Sequence, residues 1–113
     1  ILLSGNSANK DNWSDKIMSF VDNFTADGDG REFTSSDPFT ISPSGTFSGD
    51  LDVHIYKGQT LGFEALVDTK LPITAAGGVT VDVEGLNRFK LVLSGATSPD
   101  LNAFVTGDTV LEV

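Results

Sequence analysis

The sequence predicts an all-β fold, an antiparallel β-sandwich that follows an N-terminal arm with one short helix. From Phe39 onward, short segments alternate between apolar and polar residues, as strands with one buried face do. Turn residues, many of them glycine, separate these segments at intervals of about 8–12 residues, which is typical of sandwiches and barrels. The chain has 113 residues, the length of one domain, and a domain of this size buries roughly two-thirds of its unfolded surface.

A short helix is predicted at about 13–22. Asn12 suits the N-cap of this helix, and Asp15 then lies in the first turn, where negative charge is favourable. A strand through 17–21 is the alternative, because a segment this short is ambiguous by its period. Five apolar residues share one face of the helix: Trp13, Ile17, Phe20, Val21 and Phe24.

Residues 25–38 form the longest polar stretch of the chain, and we predict a loop or linker there. On this interpretation residues 1–38 are an N-terminal arm with a short helix and a polar loop. The β-sandwich body then occupies residues 39–113.

The body shows one strand pattern after another. The clearest alternation runs from Thr46 to Tyr56, and Pro72 marks a short segment suited to a strand start or a sheet edge. Further strands are predicted at 61–67, 71–74, 79–83, 88–93, 103–106 and 110–113. The alternation also predicts the inward-facing side chains: Phe47, Leu51, Val53, Ile55, Phe63, Val81, Phe89, Leu91, Leu93 and Phe104.

The charge balance limits the possible partners. Sixteen Asp and Glu residues against seven Lys and Arg residues give a net charge of −9. Nucleic acids and anionic membranes require clustered basic residues, so we expect neither as a partner. Only Arg88 and Lys90 lie close together, on one face of a predicted strand, where a solvated surface is the simpler interpretation. The chain has no cysteine, which excludes disulfides, thiolate metal sites and a cysteine nucleophile.

The sequence Asp27-Gly28-Asp29-Gly30, followed by Glu32, is the segment most similar to a calcium loop. If Gly30 takes the sixth position of an EF-hand loop, Ser36 takes the twelfth, where the loop requires a glutamate. The EF-hand interpretation therefore fails. A looser calcium site stays open, but a solvated turn is favoured, and no metal site is predicted.

Catalytic patterns are also missing. His54 is the only histidine and falls on the polar side of its strand, where we expect a structural hydrogen bond. Asp50 and Asp52 share a face, but glycoside hydrolysis needs two carboxyl groups flanking a cleft. The chain contains neither a nucleophile elbow nor a phosphate-binding glycine loop. We therefore expect a protein that is not an enzyme and that has no cofactor.

The segment Ile73–Ser98 resembles a pattern in small structural proteins of tailed bacteriophages. The pattern is Ala-x-Gly (Ala75–Gly77), a Thr-x-Asp-Val strand (Thr80–Val83), a Gly-Leu turn, an alternating strand that starts at Arg88, and a Ser/Gly/Thr loop. The preceding segment 46–67 is similar in outline, although it lacks the tryptophan and the Asp-Gly-rich hairpin usual there. Residues 1–45 lie outside the resemblance.

The resemblance implies a jelly-roll-like sandwich on the virion surface, made in the host cytoplasm and often serving as a capsid decoration (cement) protein. The implied partner is the major capsid protein or another virion protein, and the implied state is a homo-oligomer, with a trimer favoured. The apolar residues of the arm are then expected to form the interface: Leu2, Leu3, Trp13, Ile17, Phe20 and Phe24. The alternative is a receptor- or carbohydrate-binding β-sandwich of a fibre or extracellular protein, which aromatic platforms would favour.

Overall fold

The computed structural model of the protein describes residues 19–113, which form strands and connecting loops without a helix. The strands of this part of the chain are β1 (Ser19–Phe24), β2 (Gly28–Ser35), β3 (Phe39–Thr46), β4 (Asp50–Tyr56), β5 (Phe63–Ala65), β6 (Val79–Val81), β7 (Asn87–Ser94), β8 (Asp100–Gly107) and β9 (Leu111–Glu112). No helix within residues 19–113 is long and apolar enough to cross a membrane.

The strands form two antiparallel sheets that enclose one core. The four-stranded sheet has the order β1-β8-β3-β6, and the five-stranded sheet has the order β5-β4-β7-β2-β9. Four of the antiparallel pairs are nested in sequence: β1 pairs with β8, β2 with β7, β3 with β6, and β4 with β5. The prediction of an all-β, antiparallel β-sandwich is confirmed.

The helix predicted at 13–22 is wrong for residues 19–22, which belong to β1; the rest of that range lies outside the described residues. Phe20 and Phe24 are four residues apart, a spacing that fits both a helical face and alternate positions of a strand. Pairing with β8 favours the strand, because Phe20 then lies opposite Val105 and both side chains enter the core. The alternative, a strand through 17–21, overlaps β1 over residues 19–21.

The loop predicted at 25–38 is also wrong over most of its length, because residues 28–35 form β2 between β7 and β9. The register shifts between Asp29 and Glu32, so that two residues of β2, Gly30 and Arg31, oppose the single residue Leu91 of β7 in a β-bulge. Phe33 is completely buried, with an exposed fraction of 0%. Residues 19–38 therefore share both sheets and the core with residues 39–113.

Four phenylalanines connect the two sheets at the centre of the core. Phe20 and Phe39 come from the four-stranded sheet, and Phe33 and Phe89 come from the five-stranded sheet. The ring centroid of Phe33 lies 5.1 Å from Phe20, 5.1 Å from Phe39 and 5.7 Å from Phe89. Such tilted and edge-to-face pairs add stability beyond simple burial.

Most of the predicted core is confirmed. The side chains predicted inward and found buried are Leu51, Val53, Val81, Phe89, Leu91 and Leu93. Phe47 and Ile55 are half-buried and pack against the core, whereas Phe63 is half-buried on an outer face. The prediction that Phe104 faces inward is wrong. Its side chain is 42% exposed, because β8 turns Leu101, Ala103 and Val105 toward the core instead.

The long alternation predicted from Thr46 to Tyr56 is divided by a sharp turn. β3 ends at Thr46 and β4 begins at Asp50, so the chain crosses there from one sheet to the other. Gly49 lies in the turn with a φ of 93°, a conformation that favours glycine. A side chain at Gly49 would also collide with the backbone carbonyl oxygen of Ser94.

Candidate functional site

The outer face of the five-stranded sheet carries two ion pairs between β7 and β2. Arg88 Nε lies 2.8 Å from Glu32 Oε1, and Lys90 Nζ lies 2.8 Å from Asp29 Oδ2. Arg88 and Lys90 share this face, as their spacing predicts. Because the pairs connect neighbouring strands, their first effect is to hold β2 in register beside β7; exposed pairs of this kind contribute about 0–1 kcal/mol each.

Two aromatic rings lie beside these cations. The centroids of Tyr56 on β4 and Phe63 on β5 are 5.2 Å apart. Lys90 Nζ lies 4.4 Å from the centroid of Phe63, and Arg88 Cζ lies 5.6 Å from that of Tyr56, which are cation–π distances. A cation therefore covers one face of each ring, which reduces the ring surface open to a sugar.

The outer face of the four-stranded sheet is different, because none of its central side chains is charged. We call this surface the neutral face. Burial alternation and strand register place ten side chains on it: Ser19, Val21, Asn23, Thr40, Ser42, Ser44, Thr80, Asn102, Phe104 and Thr106. Residues 19–113 carry fourteen carboxylates and five basic side chains, so a neutral area formed from four strands is unusual for this protein. Charge returns at the end of β8, at Asp100.

Phe104 lies at the middle of the neutral face. It is opposite Val21 of β1 on one side and opposite Ser42 of β3 on the other. Its exposed fraction of 42% is large for an aromatic ring on an inner strand. Cross-strand bonds order the polar groups around it, with Asn23 Nδ2 donating to Asn102 Oδ1 at 2.9 Å.

A second cross-strand bond lies at the opposite end of the face, where the hydroxyl oxygens of Thr40 and Thr80 are 2.9 Å apart. Hydroxyl and amide groups both donate and accept hydrogen bonds. The neutral face thus offers a partner an apolar centre and a rim of uncharged polar groups, an arrangement that protein interfaces share.

A buried acid connects the two sheets at their edge. Asp22 of β1 is 4% exposed, and both of its carboxylate oxygens accept the backbone N–H of Arg31 at 3.3 Å. The Arg31 guanidinium, with Nε 3.4 Å from Asp22 Oδ1, also bonds to Glu112 and donates to Val21 O at 2.8 Å. This network holds β1, β2 and β9 together.

Burial raises the pKa of Asp22 above its ordinary value, and the Arg31 hydrogen bond and charge offset part of that effect. A side chain at Gly30 would collide with the Asp22 carboxylate, so the close approach depends on glycine. Sequence reasoning missed Asp22 as a core residue. The sequence did contain a signal for its burial: Asp22 lies two residues from Phe20 and two from Phe24, so on a strand all three side chains point to the same face.

The structure separates the two acids considered for calcium. The Asp27 carboxylate accepts the backbone N–H groups of Gly95 at 3.0 Å and Ala96 at 2.9 Å, whereas Asp29 pairs with Lys90. Within residues 19–113, no group of three or more histidine and acidic side chains is arranged to hold a metal ion. Asp27 instead connects the β1–β2 turn to the β7–β8 loop.

The polar residues considered for catalysis lie on β4. His54 is in register with Lys90 of β7 and Ala65 of β5. Asp52 Oδ1 accepts the backbone N–H of Val53 at 2.9 Å, and Asp50 lies opposite Ser94 at the end of the strand.

Two of the predicted interface residues lie inside the protein. Phe20 is 6% exposed and Phe24 is 5% exposed, so both pack in the core and are not accessible to a neighbouring subunit. Both side chains are apolar because β1, paired with β8, turns them toward the core. Leu2, Leu3, Trp13 and Ile17 lie outside the described residues.

The fold places the chain among all-β proteins built from two antiparallel sheets. No protein-family model, no curated protein and no solved structure matches it. Its candidate site is therefore assigned from its own surfaces, and the neutral face is the strongest candidate.

Proposed function

We propose that this protein is a non-enzymatic structural protein of a tailed-bacteriophage virion, a capsid decoration protein that binds the head shell as an oligomer. The observation that carries the proposal is the neutral face with Phe104 exposed at its centre. Protein interfaces are depleted of charge at their cores, and this face has that property, with one aromatic ring exposed at its centre. Its partner is the major capsid protein or another virion protein, and it acts on the virion surface.

One further observation supports the phage assignment, and a second is compatible with it. The segment 73–98 resembles phage structural proteins. It contributes β6 to the four-stranded sheet and β7 to the five-stranded sheet. The nested pairing of β1 with β8, β2 with β7, β3 with β6 and β4 with β5 is the pattern of a jelly roll, an architecture that viral capsid proteins and lectins both use. It is therefore compatible with a virion protein and does not by itself exclude the carbohydrate-binding alternative.

Carbohydrate binding is the less favoured alternative. It would rely on aromatic rings with open faces, but cations cover one face of Tyr56 and of Phe63. On the neutral face, Phe104 is the single aromatic ring. A protein partner uses the whole uncharged surface, whereas a sugar would have one ring to stack on.

The proposal is tested by co-sedimentation of the full chain with empty shells, assembled from the major capsid protein encoded in the same genome. Wild-type protein is expected to sediment with the shells at a saturating ratio. Ser42→Glu places a charge on the neutral face and is expected to weaken binding about 30-fold or more, because it buries an unpaired charge.

Thr34→Glu is the matched control, since Thr34 lies on the outer side of β2 in the other sheet, opposite Arg88. It adds the same charge and is expected to bind shells like wild type. Failure of the wild-type protein to sediment with shells would overturn the proposal. Saturable binding to a purified glycan that Phe104→Ala abolishes would favour the carbohydrate alternative instead.

A further inference from the structure

We infer that Arg31, held in place by Asp22, closes the edge of β1 against pairing with a strand of another molecule. The inference goes beyond the proposed function, because it concerns the edge of the four-stranded sheet and not the neutral face. An exposed strand edge presents unpaired backbone N–H and C=O groups, and these groups join other chains into a growing sheet unless the fold blocks them.

β1 is the longest edge strand in the part of the chain that the structure describes. The edge strands β5, β6 and β9 have three, three and two residues, so each offers little backbone to a partner strand. β1 has six residues, and its sequence contains two phenylalanines and a valine. Segments of about six residues with high β propensity and low net charge are the ones that assemble into intermolecular sheets. β1 is therefore the edge that most needs a block.

The register of β3 and β8 shows which backbone groups point outward from β1. Opposite residues of an antiparallel ladder alternate between pairs that exchange two hydrogen bonds and pairs that exchange none. Pro43 has no N–H, so it suits a pair without bonds, opposite Ala103. The neighbouring pair, Ser42 and Phe104, is then a bonded one. Because Phe104 bonds to β3, Val21 on its other side directs its N–H and C=O to the outer edge of β1.

Arg31 covers this outward position. Its guanidinium donates a hydrogen bond to Val21 O at 2.8 Å, so the acceptor that an incoming strand needs is already bonded. The guanidinium carbon also lies 5.8 Å from the ring centroid of Phe20, the residue next to Val21. An incoming strand would have to displace this cation from a carbonyl oxygen and from a carboxylate, and bonds to charged groups are costly to break.

Three contacts hold Arg31 in this position. The β-bulge at Gly30 and Arg31 directs the arginine side chain out of the β2 ladder and toward β1. Both carboxylate oxygens of Asp22 accept the Arg31 backbone N–H at 3.3 Å, and Asp22 Oδ1 lies 3.4 Å from Arg31 Nε. Glu112 of β9 pairs with the guanidinium from the other side. Asp22 is itself a charged side chain that points inward from an edge strand, which is a second feature that blocks edge pairing.

The experiment compares the assembly of folded variants of the full chain. Arg31→Met removes the guanidinium but keeps a long, unbranched side chain. After incubation at about 100 µM, its thioflavin T fluorescence is expected to exceed that of wild type at least about fivefold, with large species in sedimentation. The double variant Asp22→Asn with Arg31→Met also loses the inward charge and is expected to assemble at least as fast.

Glu112→Gln is the matched control. It removes one charge from the same network but leaves the bond from Arg31 to Val21 O in place, so it is expected to stay at the wild-type fluorescence. Circular dichroism and melting curves verify that every variant is folded at the temperature of incubation. The comparison then measures the assembly of folded molecules and not that of unfolded chains.

Val21→Pro in the Arg31→Met background identifies the edge. Proline removes the outward N–H of residue 21, which β8 does not use, and edge strands tolerate proline at such positions. This variant is expected to return the fluorescence to the wild-type level. Val21→Lys in the same background is the second test, because lysine on an edge strand also prevents pairing and keeps the backbone N–H.

Three outcomes would overturn the inference. A folded Arg31→Met variant that stays at the wild-type fluorescence would show that Arg31 does not close the edge. Assembly that neither Val21 variant reduces would place the contact elsewhere on the molecule. Equal assembly of Glu112→Gln and Arg31→Met would assign the effect to the network as a whole. These results do not depend on whether the protein binds shells.

Discussion

Replacing Phe33 with alanine tests whether the polar segment that precedes the body is part of the core. Phe33 lies on β2, is completely buried, and contacts three other phenylalanine rings at centroid distances of 5.1 to 5.7 Å. Those rings come from both sheets, so the cavity left by the substitution would open at the centre of the sandwich.

The expected loss of stability follows from this environment. Phe-to-Ala substitutions in protein cores lower the free energy of unfolding by about 3–5 kcal/mol. Each aromatic pair contributes about 0.5–1.5 kcal/mol beyond burial, so three pairs place Phe33 near the upper end, at about 4–5 kcal/mol. That is a large part of the roughly 5–15 kcal/mol that stabilises a typical domain. For a chain of this size the Tm is expected to fall by roughly 15–20 °C.

Urea unfolding followed by circular dichroism measures the free energy, and an unchanged m-value indicates that the unfolded state is the same. Phe104→Ala is the matched control, because it removes the same atoms from an exposed position and is expected to lose less than about 1 kcal/mol. If the two variants lose equal stability, or if Phe33→Ala loses less than about 1 kcal/mol, the assignment of β2 to the core is refuted.

Three further predictions concern pH, the N-terminus and calcium. Because burial raises the pKa of Asp22 above 3.8, the folded chain binds this proton more tightly, and the stability of wild type relative to Asp22→Asn should increase as pH falls from about 7 to about 4.5. A decrease in urea unfolding experiments would contradict this. Removal of residues 1–18 should leave a cooperative thermal transition, whereas removal of residues 1–24 also deletes β1 and its two core phenylalanines and should abolish that transition; equal Tm values for both would be inconsistent with the fold. Excess calcium or chelator should leave the Tm unchanged, because the Asp27 carboxylate already accepts two backbone hydrogen bonds; a rise of the Tm with calcium that Asp29→Ala removes would show a metal site.

Two errors of sequence interpretation have the same physical origin. The spacing of Phe20 and Phe24 suits a helix or a strand, and only the ladder with β8 distinguishes them. The segment 28–35 is too polar to be recognised as a strand by itself. It becomes one because β7 supplies hydrogen-bond partners along its length and because Phe33 reaches the core.

Phe104 shows a third error. The predicted strand begins at residue 103, whereas β8 begins at Asp100, and over this longer span Leu101, Ala103 and Val105 make one face entirely apolar. Phe104 lies on the other face, whose remaining side chains are polar. Ala103 and Val105 enter the core because the residues opposite them on β3 and β1 do so as well. The register with the neighbouring strands agrees with the alternation of the full strand.

The sequence by itself determined the all-β class, the glycine turns, the alternation that buries Leu51, Val53, Phe89, Leu91 and Leu93, and the acidic charge. These properties are local, since each depends on residues within one strand or one turn. The tertiary structure alone decided which strands share a sheet, and with that the neutral face, whose residues come from β1, β3, β6 and β8. Strand pairing joins positions up to 87 residues apart, such as Ser19 and Thr106, and no local period records such a contact.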